Sequence, residues 1–116
     1  MFRELIVPSD DDFLTHLGVT LESLEPHGTR QLMWEPSSGA SIAFSFYIPG
    51  RSVRLIWREQ GRVVADVFRE GATQISLKSD KQEAHMWIQF FMDSLNGELK
   101  VWLYPKIRLQ DRILLT

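Results

Sequence analysis

Residues 41–78 read SIAFSFYIPGRSVRLIWREQGRVVADVFREGATQISLK, and the fold class turns on this stretch. Three short breaks punctuate it: Pro49-Gly50, Gln60-Gly61 and Glu70-Gly71, each with Gly second. Gly takes a positive φ at little cost, which two-residue hairpin loops require, and Pro49-Gly50 suits a type II turn. With loops of that length, Ile48 faces Arg51, Glu59 faces Arg62 and Arg69 faces Ala72. Directly opposed residues share a face, and faces alternate along each strand. These registers collect Ile42, Phe44, Phe46, Val53, Leu55, Trp57, Val64, Asp66, Phe68, Ile75 and Leu77 on one side. The other side holds Tyr47, Arg54, Ile56, Arg58, Val63, Val67, Arg69 and Lys78 among small residues such as Ser41, Ala43, Ser45 and Ala65. A one-residue slip would scramble the sorting. The expectation is a four-stranded antiparallel meander, hydrocarbon on one face and arginine on the other.

Outward from the meander, Ser79-Asp80-Lys81-Gln82 has the form of a capping box. Ala84, Trp87, Ile88, Phe91 and Leu95 follow at helical spacing, and Asn96-Gly97 offers a stop. This segment is therefore expected to be the main amphipathic helix, packed on the apolar sheet face. Strands are expected over 98–104 and 107–115, and upstream over 19–25 and 29–34. Pro8-Ser9-Asp10-Asp11-Asp12-Phe13-Leu14 reads as the start of a short N-terminal helix, with acids at its positive dipole end. The whole is expected to be a single α+β domain over 1–116, an antiparallel sheet of about six or seven strands with helices on one side.

Composition narrows the function classes. The chain has 116 residues, thirteen Lys and Arg, fifteen Asp and Glu, a net charge of −2 and no cysteine. A wholesale affinity for nucleic acid is not expected from that balance. Zero cysteines exclude disulfides, thiolate catalysis and Cys-ligated zinc. The longest uncharged run, Pro36 to Gly50, is 15 residues with two prolines, so no membrane-spanning segment is expected. The opening Met1–Pro8 is too short in apolar residues for a secretory signal, and a cytoplasmic location is the expectation. The charge is unevenly placed. Residues 1–40 carry seven acids against two bases, whereas residues 41–78 carry six bases against three acids.

Catalytic spacing is thin. His16, His27 and His85 lack ligand-like separation, and no nucleophile elbow or phosphate loop is present. No metal or cofactor is expected. Asp10-Asp11-Asp12 lacks the glycine and distant glutamate of a calcium loop. Asp66 falls on the apolar face, where a carboxylate needs a partner or its pKa rises. The basic face is the more informative surface, because Arg and Tyr often anchor interfaces. Tyr47, Arg54, Arg58, Arg69 and Lys78 are its expected partner-binding residues, with the acidic Asp10, Asp11 and Asp12 as a second contact. Leu99, Val101 and Leu103 share one side of the later strand, which would place Lys100, Trp102 and Tyr104 on the basic face. By elimination, the expected function is a protein-binding module. Within that class the expectation is an immunity-type protein that neutralises a cognate bacterial toxin by direct binding. An acidic segment suits such a partner if the toxin has a basic groove. The alternatives are a small hydrolase or isomerase with Asp66 or His85 as acid or base, and a peptide-binding chaperone or adaptor. Nucleic acid ranks behind a protein partner.

Overall fold

Ala40–Tyr47 alternates between buried and half-buried at every step, the period of a strand with one face in a core. Ile42, Phe44 and Phe46 are almost wholly buried. In the computed structural model, which describes residues 4–36 and 39–115, this strand is the centre of a five-stranded antiparallel sheet. Its members are β1 (Glu22–Leu24), β2 (Thr29–Trp34), β3 (Ala40–Tyr47), β4 (Ser52–Glu59) and β5 (Arg62–Glu70), in chain order. A second antiparallel sheet holds β6 (Ala72–Ser79), β7 (Ala84–Met92), β8 (Leu95–Tyr104) and β9 (Arg108–Leu115), again in chain order. One short helix, α1 (Asp10–Leu17), precedes them among the described residues. The expected α+β sheet of six or seven strands under a main helix is therefore corrected to two antiparallel sheets and one N-terminal helix.

The first hairpin has the register read from the sequence: Ile42 faces Trp57, Phe44 faces Leu55 and Phe46 faces Val53. Its loop differs from the expected type II turn. Arg51, not Gly50, takes the left-handed conformation, at φ 49°. Gly50 is needed for space instead, since a Cβ there would lie 2.7 Å from the Tyr47 ring. At the second hairpin Gln60 and Gly61 are both left-handed, at φ 52° and 78°, as a type I′ turn requires.

Beyond that turn β5 leaves the expected register. Arg58 faces Val63 but Trp57 faces Ala65, so Val64 is an inserted residue. One extra residue inverts every face beyond it. Ala65, Val67 and Arg69 consequently turn inward, and Asp66 and Phe68 turn outward. The third expected hairpin is absent, because β5 and β6 belong to different sheets. Gly71, at φ 84°, swings the chain between layers, and its carbonyl accepts the Phe91 N–H at 2.9 Å.

The expected main helix is strand β7. The expected Ser79–Gln82 capping box is instead a turn closed by Asp80. Its Oδ1 accepts the N–H groups of Gln82 and Glu83 at 2.7 and 2.8 Å, and its own N–H bonds to the Glu83 carbonyl. This closes a local turn. Met86, Ile88 and Phe90 are buried at strand spacing, while Trp87 lies on the other face. An apolar run on both faces satisfies helical and strand periods alike, and its aromatic content favours the strand. The Asp93-Ser94 turn, with both φ values positive at 51° and 66°, then reverses the chain where the Asn96-Gly97 stop was expected.

The inner faces of both sheets merge with Phe13 and Leu17 of α1 into one core. Phe13 stacks on Phe46, centroids 6.2 Å apart and rings within 10° of parallel. Ser9 and Asp12 form a reciprocal capping box, and Gly18 ends the helix in the left-handed conformation. Polar contacts close the two flanks. Asp10 of α1 pairs with Arg30 of β2 at 3.1 Å, and His16 Nδ1 meets Ser79 Oγ of β6 at 2.8 Å. Opposite them, Arg69 of β5 grips Asp111 of β9 through two hydrogen bonds of 2.8 and 2.6 Å. If α1 is part of the core rather than an appendage, Phe13→Ala should lower unfolding free energy by about 3–5 kcal/mol in chemical denaturation. Leu14→Ala, at a position 54% exposed, should stay within about 0.5 kcal/mol of the parent. Equal effects would contradict the helix's place in the core.

Candidate functional site

The two layers leave two opposed outer faces, and these divide the residues expected to bind a partner. Tyr47 on β3 and Arg54 and Arg58 on β4 share the outer face of the first sheet, by the register of those strands. Arg54 is already engaged. Its Nε and Nη2 donate to Asp66 Oδ1 and Oδ2 at 3.2 and 3.0 Å, a bidentate pair. The hydrogen bond from Arg54 holds the Asp66 carboxyl below the usual carboxylate range, with Arg58 adding to the effect. The placement of Asp66 on the apolar face is thereby corrected, whereas the partner that a carboxylate there was expected to need is present as Arg54. The inserted Val64 puts the carboxylate on the solvent side, with its side chain 43% exposed. Around this pair the face is largely apolar, with Phe68 at 62%, Val63 at 55% and Val64 at 51% exposure.

Arg69 is not on that face. It points inward along β5, bonds Asp111, and lies 5.1 Å from the centroid of the Phe90 ring. The Asp111 hydrogen bonds raise its pKa, as a structural clasp would. Lys78 lies on β6, in the other sheet. Of the three acids, Asp10 binds Arg30 and Asp12 belongs to the capping box. Asp11 stays exposed in the first helical turn.

The second sheet's outer face has a different chemistry. Cross-strand pairing sets Lys78, His85, Trp102 and Arg108 in one row. Ser76, Trp87, Lys100 and Gln110 form the next. Arg108 lies over Trp102, 4.1 Å from the ring centroid, and Lys100 over Trp87 at 5.2 Å. Trp87 Nε1 donates to Glu98 at 2.9 Å. His85 is buried under this surface, its ring 5.5 Å from that of Trp102. Burial lowers the His85 pKa, and Lys100 and Lys78 push the same way against the opposing pull of Glu83. The imidazole Nδ1 is 3.4 Å from a Glu83 carboxylate oxygen but makes no hydrogen bond.

Lys100 and Trp102 were legible as neighbours from the alternation of β8, though Gly71 delivers them to the second sheet rather than to the meander. Trp87 and His85 were missed as surface partners, because a helical reading of β7 hid their alignment. The alternation Met86-Ile88-Phe90 against Leu99-Val101-Leu103 carried that information. No group of three potential metal ligands gathers among the described residues, and no helix there is long and apolar enough to cross a membrane. One shallow cleft of about 430 Å³ opens between β5 and the β7–β8 turn, lined by Phe68, Met92, Leu95 and Ile113.

No protein-family model matches the chain, and no curated protein matches it in sequence. The fold has a solved counterpart. It is similar to a chain from a contact-dependent growth inhibition toxin–immunity protein complex of Klebsiella pneumoniae 342, with a TM-score of 0.83 and 16% identity. The likeness covers 98% of this chain and 100% of the other. At that identity it establishes a shared fold.

The buried histidine gives a pH test. Its folded pKa lies below the ordinary 6.5, so between the two values the unfolded chain binds more protons and stability rises with pH. The denaturation midpoint should therefore fall as pH drops below about 6.5. His85→Gln should flatten this limb, leaving the acid limb that Asp66 and Asp80, both lowered from 3.8, contribute below that value. A parent midpoint unchanged between neutral and mildly acidic pH would refute the assignment.

Proposed function

We propose that this chain is an immunity-type protein that neutralises a cognate bacterial toxin by binding it directly. The observation that carries the reading is the shared fold over essentially the whole of both chains with a member of a toxin–immunity complex. The chemistry favours the immunity member over the toxin. Arg69 and Asp111 tie the two sheets, and Asp10 and Arg30 tie the helix to the first sheet. Asp66 is paired with Arg54 of the neighbouring strand, and His85 is buried and pushed toward its neutral form. The side chains that an enzyme reading would recruit thus serve the architecture. Large exposed apolar residues such as Phe68 and Ile113 suit a protein that spends its working life against another protein. The absence of cysteine accords with an encounter in the reducing cytoplasm.

The partner-binding residues proposed from the sequence now fall into separate regions. Tyr47, Arg54 and Arg58 remain together, Lys78 joins the opposite face, and Asp10, Asp11 and Asp12 sit at the head of α1. The test is to clone a toxin-sized reading frame that adjoins this chain's own and to co-express its toxin domain with this chain. The immunity reading expects this chain to restore growth to cells making that domain. It also expects the two to co-purify as a stable complex whose association slows as salt rises. Growth arrest by this chain alone, or no protection against the neighbouring toxin, would reject the reading.

A further inference from the structure

We propose that the outer face of the second sheet, where Lys78, Lys100 and Arg108 surround Trp87 and Trp102, docks an acidic surface of a protein partner. This deepens the immunity reading and rests on it, since the partner it assigns is the toxin.

Charge sets this face apart from its counterpart. On the first sheet Arg54 is neutralised by Asp66 at 3.0 Å. On the second, no ion pair among the described residues engages Lys78, Lys100 or Arg108. The acids nearby are otherwise occupied. Glu98 accepts from Trp87 Nε1 and lies 3.9 Å from Arg112, while Glu83 faces His85. The face thus presents an uncompensated positive field, which an acidic partner surface would complete.

Geometry adds preorganisation. A cation held over an indole face is restrained by cation–π attraction while its N–H groups stay available to a carboxylate. Arg108 over Trp102 has this arrangement, and Lys100 over Trp87 holds an ammonium in a similar way. Side chains already restrained lose less entropy on binding. Trp and Arg are also the residue types that most often dominate interface energetics.

The same geometry ranks protein above nucleic acid. Single-strand recognition stacks bases on open aromatic faces. Here Arg108 and Lys100 cover the two rings, the Trp87 N–H is bonded, and the chain is negative overall.

The test measures binding of the full-length chain to the toxin domain of the neighbouring reading frame, by calorimetry and by association kinetics at several salt concentrations. The double variant Lys100→Glu/Arg108→Glu should weaken binding by about tenfold or more, chiefly through association. Arg62→Ala, at the exposed start of β5 in the other sheet, should stay within about twofold of the parent. Thermal midpoints report whether each variant folds. If charge reversal unfolds the protein, Lys100→Gln/Arg108→Gln should still give an intermediate loss. Undiminished toxin binding by a folded charge-reversed or Gln variant overturns the inference and leaves the immunity reading intact. A parent chain that does not bind the toxin overturns both. Tighter binding of a short oligothymidylate than of the toxin, lost in the same variant, assigns the face to nucleic acid and overturns the inference.

Discussion

Two apolar sheet faces exclude water only by meeting each other, and Gly71 is the residue that lets them meet. Up to Glu70 the chain builds one meander whose buried side carries Leu32, Ile42, Phe44, Phe46, Val53 and Leu55. At φ 84° it then abandons the β5 edge and begins a second layer, whose Ile75, Met86, Ile88, Leu99 and Val101 complete the core. An L side chain is disfavoured in that conformation, and a Cβ would press within 3.0 Å of Met92. Everything on the surface follows from this crossing. It decides that Lys78, Trp87, Lys100 and Trp102 look away from Arg54 and Arg58 rather than joining them.

The layered arrangement leaves flanks that need closing and an edge that needs protecting. On one flank α1 spans the gap, its Phe13 ring in the core and its polar ends tied to Arg30 and Ser79. On the other, Arg69 reaches inward to Asp111. A charge pointing into the sandwich from an edge strand is a known defence against edge-to-edge pairing, as is a bulge such as the one β5 carries at Val64. Arg69 serves both purposes.

Local chemistry was readable wherever it was sufficient. The β3–β4 register and the Gln60-Gly61 turn come from residues whose alternation and turn chemistry agree, and the structure has both. The capping chemistry of Ser9 through Asp12 likewise identified α1. Readability stopped where two arrangements satisfy the same local pattern. Val63-Val64 contains no glycine or proline to signal an inserted residue, so the inversion that exposes Asp66 is set by packing against β4. Glu70-Gly71 has the same composition as a hairpin turn, and only the competition for core burial makes it a crossing. In 84–92 the outward positions mix Trp87, under Lys100, and Phe91 with His85 and Gln89. That erased the contrast by which helix and strand periods are told apart. The surface of the second sheet was misassigned for these reasons together.

The strict division between side chains facing the core and those facing solvent in β7 and β8 has an evolutionary consequence. Met86, Ile88, Leu99 and Val101 are sealed inside, while Trp87, Lys100 and Trp102 touch mainly one another and their neighbours on the surface. Selection can rewrite the second set without disturbing the first. The solved counterpart, at 16% identity and a TM-score of 0.83, shows the same fold carried by a very different sequence.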